Sequence, residues 1–199
     1  MKIVIGIPCM GSINAETVGS LWQLQLSYKD IDFKPYIASN SLVYQARNDI
    51  INYALKEQAD YLLFVDSDII FPFDALSKLI NQNKSIITGI YYSRVENNDK
   101  PIIYDHIKPR SIFNRIPEIK AVNRKIQGVE PVKACGMGFC LIQKDLIKRM
   151  IDKYISPFEP FKGLGEDIAF CYRVGQLKEK IYAMECGLQH IGKKYYKGA

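Results

Sequence analysis

The sequence predicts an α/β fold, a mostly parallel central sheet flanked by helices, in a single domain spanning residues 1–199. Three observations carry that expectation. Short apolar runs alternate with helix-period segments through the first half of the chain, as in β-α-β units feeding a parallel sheet. The most apolar of these runs stops abruptly at two aspartates, which is how a buried strand ends at a ligand-facing sheet edge. A composition of 48% hydrophobic and 24% charged residues is that of an ordinary globular chain with a substantial core.

The elements follow in order. Apolar, β-branched and aromatic runs place strands at Lys2–Ile7, Phe33–Ile37, Tyr61–Val65 and Ser85–Ile90. Between the first two, Ala15–Leu26 reads as a helix. Leu42, Ala46, Ile50 and Ala54 recur every four residues, so Leu42–Leu55 is an amphipathic helix with Asn40 or Ser41 as its N-cap. A shorter helix, Asp74–Ile80, follows Pro72. The segment 93–127 carries Pro101, Pro109 and Pro117 and reads as loops or weak strands, with one short strand candidate, Pro101–Tyr104. Order returns with a strand at Val129–Ala134, a turn at Gly136-Met137-Gly138, an apolar run Phe139–Ile142 and a helix from Lys144 to Tyr154. A last helix begins near Gly165, and Ile181–Glu185 reads as the final strand.

Several classes of protein are disfavoured. The run Tyr61–Val65 is broken by Asp66 and Asp68 far short of the roughly 20 residues a membrane crossing needs. The opening Met1–Pro8 lacks a signal-peptide pattern, so a cytoplasmic protein is expected. Cys9, Cys135, Cys140, Cys171 and Cys186 form no close pairs of the kind structural zinc sites use and read as reduced core thiols. The net charge of +6 is concentrated in Lys108, Arg110, Arg115, Lys120, Arg124 and Lys125, and again in Lys193, Lys194 and Lys197. Such clusters suit anionic partners or serve simply as a solvated face.

The chemistry concentrates in a few places. Asp66-Ser67-Asp68 follows the third strand, and in extended geometry its two carboxylates, at i and i+2, face one ligand. Two adjacent like charges call for a cation, and Mg2+ or Mn2+ bound this way also meets substrate phosphates. Gly163-Leu164-Gly165 frees the backbone ahead of Glu166 and Asp167, which open a helix. Acidic residues in a first turn are also favoured by the helix dipole alone, which would depress the Asp167 pKa. His190 follows the final strand and is a suitable ligand for a manganese-like ion; His106 is the only other histidine. Tyr91, Tyr92 and Trp22 are further aromatic candidates for stacking on sugars or bases.

The D-x-D of Asp66-Ser67-Asp68, together with the upstream Gln45-Ala46-Arg47-Asn48, resembles the GT-A-fold glycosyltransferases, in particular their family-2-like members. The resemblance runs from Lys2 to about His190 and is weakest across 93–127. It implies a Rossmann-like nucleotide-binding fold in which residues 1–92 bind a nucleotide-sugar donor and 93–199 bind the acceptor and carry catalysis. On it, Asp66, Asp68 and His190 hold Mn2+ or Mg2+, and Asp167 is the base of an inverting transfer, with Glu166 as the second choice. Pro8, Cys9, Met10 and Gly11 then lie against the nucleotide base, and Arg47 neutralises phosphate or supports the Asp66–Asp68 loop. Ser67 and the Gly136-Met137-Gly138 turn border the donor, the latter by close backbone approach, although the turn also fits a plain hairpin. The implied donor is a UDP-sugar, then a GDP-sugar; the acceptor is a glycan or a hydroxylated base in DNA. A nucleotidyltransferase or phosphatase also suits paired aspartates after a strand. No Arg- and Lys-bearing glycine loop follows Pro8, however, and there is no P-loop.

Overall fold

The computed structural model describes residues 1–39, 41–94, 100–112 and 115–192. Asn40, one of the two expected helix caps, and the lysines 193, 194 and 197 lie outside them. A seven-stranded sheet forms the centre, in the order β2-β1-β3-β10-β5-β11-β8. Its members are β1 (Lys2–Cys9), β2 (Asp32–Ser39), β3 (Tyr61–Val65), β5 (Ile86–Gly89), β8 (Val129–Val132), β10 (Phe139–Gln143) and β11 (Ile181–Met184). Strand β1 runs parallel to β2 and β3, β10 runs antiparallel to both β3 and β5, and β11 is parallel to β5 but antiparallel to β8. Five of the seven strands therefore point the same way, with β10 and β8 reversed. The expectation of a mostly parallel sheet holds.

The sheet has a core on each face, as a parallel sheet requires. One face packs β1, β3, β5 and β10 side chains such as Val4, Leu62, Phe64 and Ile142 against helices α2 (Val43–Lys56), α4 (Lys144–Lys153) and α5 (Glu166–Gln176). The other packs Ile3, Ile5, Leu63 and Leu141 against helices α1 (Ala15–Ser27) and α3 (Ala75–Ile80). All five cysteines are buried free thiols. No helix among the described residues is long and apolar enough to cross a membrane.

Three differences from the expected elements matter. Leu42 takes the N-cap position of α2 with no side-chain hydrogen bond, so Ser41 does not cap it. The single strand expected over Val129–Ala134 is two: β8 stays in the large sheet, while β9 (Ala134–Cys135) joins a separate three-stranded sheet with β6 (Ile103–Lys108) and β7 (Glu118–Ala121). That sheet takes up part of the segment expected to hold loops or weak strands. Its outer strand β7 is mostly exposed and faces β6 with charged side chains such as Glu118, 3.4 Å from Lys108, so no hydrophobic alternation marks it. Finally, two-residue strands β4 (Ile69–Ile70) and β12 (Gln189–His190) pair antiparallel, His190 opposite Ile69.

Candidate active site

The five co-directional strands end along one edge. Because β10 and β8 run the other way, their starts reach the same edge, and the chain entering β10 brings Gly136–Gly138 beside the exit of β3. Strand β3 stops at Val65, and Asp66–Ile69 forms a turn closed by the Ile69 N–H to the Asp66 carbonyl at 3.3 Å. The backbone of this turn is tied on three sides. The Asp66 N–H donates to the Gly138 carbonyl at 2.9 Å, the Asn14 N–H to the Ser67 carbonyl at 2.9 Å, and the Ile191 N–H to the Asp68 carbonyl at 2.9 Å.

That turn corrects one expectation. The i, i+2 argument needs an extended strand, and the strand has already ended, so the two carboxylates face different partners. Asp66 Oδ1 lies 3.1 Å from Arg47 Nη2. Asp68 instead faces His190, whose Nε2 is 3.5 Å from its Oδ1, while Arg94 pairs with its other oxygen. Among the described residues no three His, Cys, Asp or Glu side chains cluster as a metal cage.

Arg47 organises the first group. It lies on the buried face of α2 with Ile50, Ile51 and Ala54, and is only 2% exposed. Its guanidinium sits over the Phe64 and Phe158 rings, 5.4 and 5.9 Å from their centroids, which gives a buried cation favourable neighbours. Asn48, next in the motif, accepts the Phe158 N–H at 3.1 Å and so holds that ring's segment in place. On its far side Arg47 Nε is 3.1 Å from Asp167 Oδ1. Burial alone would lower the Arg47 pKa, but Asp167 and Asp66 outweigh it and hold the guanidinium charged.

Asp167 stands in the first turn of α5, and its Oδ2 accepts the Met137 N–H at 3.1 Å. The helix N-terminus was expected to depress its pKa; the structure reverses the sign. Burial is the larger push, Arg47 opposes it, and the negative charges of Asp66 and Glu166 add to it, so its pKa is raised to about 7. One guanidinium serves two carboxylates with a third nearby, leaving this end of the sheet short of positive charge.

The Asp68–His190 pair forms the second group, with Arg94 on the other Asp68 oxygen. His190 Nδ1 lies 2.8 Å from the Tyr92 carbonyl, which can only accept, so the ring proton is on Nδ1. A neutral ring would face the carboxylate oxygen with a bare Nε2 lone pair; a further proton, giving an imidazolium that donates to Asp68, or a cation between them makes that contact favourable. A carboxylate beside an imidazole oriented by a backbone carbonyl offers two ligands to a divalent ion, the carboxylate being the one that suits Mg2+ or Mn2+. Burial tends to raise the Asp68 pKa, but His190 and Arg94 outweigh it and hold the carboxyl below its ordinary range.

Tyr91 joins the two groups. Its hydroxyl accepts the Gly138 N–H at 3.0 Å, and its ring meets His190 edge-on at 5.3 Å between centroids. Burial first, then the nearby Asp66 and Asp167 charges, raise its pKa, so it stays a neutral phenol. The close approach that Gly136 and Gly138 permit is to this ring: Gly136, Met137 and Gly138 are all buried, and a Cβ at Gly136 would lie 2.1 Å from Tyr91 Oη. Gly136→Ala is therefore expected to lower the urea midpoint, at a cost of about 2 kcal/mol.

The remaining predicted residues are distributed as follows. Pro8 and Cys9 are buried at the end of β1, while Met10 and Gly11 are exposed in the loop that Asn14 ties to Ser67. Glu166 is half-buried beside Asp167. Gly163 adopts φ +82°, a conformation open to glycine, where Arg110 crosses it before α5. His106 lies on β6 with Glu118 at 3.6 Å, and Trp22 is exposed on α1. Two residues at the site escape sequence reasoning. Asn14 has no motif around it, and Arg94 is one basic residue just past β5 whose partner is 26 positions away in the chain.

No family model matches the sequence, and no curated protein sequence matches it. Solved structures are similar to it in fold. A197 from STIV has 17% identity and a TM-score of 0.61, over 100% of this chain and 98% of that one. The inositol-1-phosphate CTP transferase from T. maritima has 7% identity and a TM-score of 0.56, over 97% of this chain and 90% of that one. At these identities the likeness shows a shared α/β fold.

Proposed function

We propose that the protein is a metal-dependent glycosyltransferase of the GT-A type, moving a sugar from a nucleotide-diphosphate sugar to an acceptor hydroxyl with inversion. The observation that carries this reading is the meeting, at one sheet edge, of a carboxylate–imidazole pair able to hold a cation, Asp68 and His190, with the enclosed carboxylate Asp167. That edge is where open α/β sheets collect ligands. The likeness in fold to an inositol-1-phosphate CTP transferase is consistent with a nucleotide there.

In this reading Asp68 and His190 hold Mg2+ or Mn2+, with Asp66 nearby as the charge partner of Arg47. Such an ion, when bound, offsets the charge that builds on a departing diphosphate. The exposed Met10 and Gly11 border the nucleotide base, a uridine first and a guanosine next. Asp167 takes the proton from the acceptor hydroxyl as that oxygen bonds to the anomeric carbon and the bond to the diphosphate breaks. A pKa near neutrality suits that task, because the carboxylate is available at pH 7 and still basic enough to accept. Each of its oxygens has one contact here and keeps a second lone pair. Glu166 is the second candidate base, and the acceptor is a glycan or a hydroxylated DNA base.

The test is a screen of nucleotide sugars with Mn2+ or Mg2+, scoring nucleoside diphosphate released. Chelation should abolish release, and Asp68→Ala should lower it on the order of 100-fold. Activity that survives both would overturn the proposal. Nucleotidyl transfer onto a sugar phosphate is the second reading, favoured by the CTP-transferase likeness, and would release pyrophosphate from a nucleoside triphosphate instead. The loop Cys9–Asn14, which has neither Arg nor Lys, weighs against it.

A further inference from the structure

Beside the catalytic edge lies a cavity of about 510 Å³ between the exit of β5, residues Lys100 and Pro101, and the segment 122–126 after β7. We propose that it is the acceptor subsite and that it takes a saccharide unit bearing an anionic substituent, a phosphate or a carboxylate. The inference rests on the glycosyltransferase reading and narrows its acceptor.

Position is the first argument. Tyr92 belongs to both places, since its carbonyl holds His190 and its side chain lines the cavity, with the hydroxyl donating to Glu185 at 2.9 Å. The cavity and the Asp68–His190 pair therefore share one residue of the same sheet edge. Size is the second, because the volume falls in the roughly 300–1,000 Å³ range of small-ligand sites and admits a sugar unit, not a duplex. The lining is the third. Ile90, Val122 and Ile126 make a buried apolar floor, and Tyr92, 41% exposed, offers a ring face of the kind sugars stack on.

Charge decides the ligand class. Among the described residues three cations line the cavity, Lys100, Arg124 and Lys125, against one carboxylate, Glu185, which already accepts from Tyr92. Arg124 is occupied by Glu130 and lies 4.0 Å from Asp105. Among the described residues no carboxylate is within ion-pair reach of Lys100 or Lys125. A neutral sugar has no use for two such lysines. The catalytic edge is by contrast rich in carboxylates, and its bound ion would be taken up by the donor diphosphate, so an anionic acceptor is oriented with its charge among the lysines and a hydroxyl toward Asp167.

Binding is measured without turnover, by amide NMR shifts on adding glucose 6-phosphate, glucuronate, glucose, inorganic phosphate or a short single-stranded DNA oligonucleotide. The two anionic sugars should shift Tyr92 and residues 122–126, bind more tightly than glucose or phosphate alone, and weaken roughly tenfold in Lys100→Ser/Lys125→Ser. Both lysines are exposed, and amide spectra of the variant confirm its fold directly. Equal shifts with glucose, equal affinity for phosphate alone, binding elsewhere, or preferential binding of the oligonucleotide would each overturn the inference. Because no donor is present, failure here leaves the diphosphate-release test of the transferase reading to stand or fall separately.

Discussion

Asp167→Asn is expected to lower turnover by on the order of 10²- to 10⁴-fold while leaving donor affinity close to that of the parent chain. The amide is nearly isosteric and keeps an acceptor for the Met137 N–H, but it has no basic oxygen to take a proton. The parent enzyme should show kcat/KM rising with pH through about 7, because the carboxylate must be deprotonated to act. Glu166→Gln should cost far less, since Glu166 lies beside the site and makes no contact with Arg47 of the kind Asp167 makes. A pH profile flat through neutrality, or an Asp167→Asn variant that turns over like the parent, would remove Asp167 as the base. The Asp167 side chain is 21% open to solvent, which on the proposed function is where an acceptor hydroxyl would approach it.

The second large effect is on stability. Arg47→Met should destabilise the fold by about 3 kcal/mol or more, because it leaves Asp66 and Asp167 facing each other without their shared cation. The sign of the pH dependence follows from Asp167. A carboxyl whose folded-state pKa lies above its unfolded value of 3.8 contributes stability that is complete in acid and lost as pH rises through the folded value. Without Arg47 to oppose burial that folded value moves higher still, so the deficit in urea midpoint should be larger above pH 7 than below it. A deficit that does not vary with pH would mean that the loss comes from packing on Phe64 and Phe158 and not from the unpaired carboxylates.

Arg47 also shows how much of the site was legible beforehand. An arginine three, four and seven positions before Ile50, Ile51 and Ala54 shares their helix face, so its burial was written in the periodicity of α2. What it would meet there was not, because Asp66 and Asp167 come from separate elements. The Asp66–Asp68 motif was visible as a strand ending in acids, yet its geometry was misjudged by one assumption, that the strand continued. The Gly136-Met137-Gly138 turn was visible too, but its use was not. Its glycines make room for Tyr91, which stands 45 positions earlier than Gly136 in the chain.

The chain's own pattern was enough for the local elements: apolar runs for β1, β3, β5, β10 and β11, and helical periods for α1, α2 and α4, to within a residue or two at most ends. Those signals exist because each such element buries a face, and burial at a fixed period leaves a trace in the order of residues. Strand β7 left no trace because it buries almost nothing. The sign of the Asp167 pKa shift, the separate partners of Asp66 and Asp68, and the meeting of His190 with Asp68 through the β4–β12 pair were decided only in three dimensions. Charges act through space, and their balance depends on distances and burial among residues that local order along the chain does not encode.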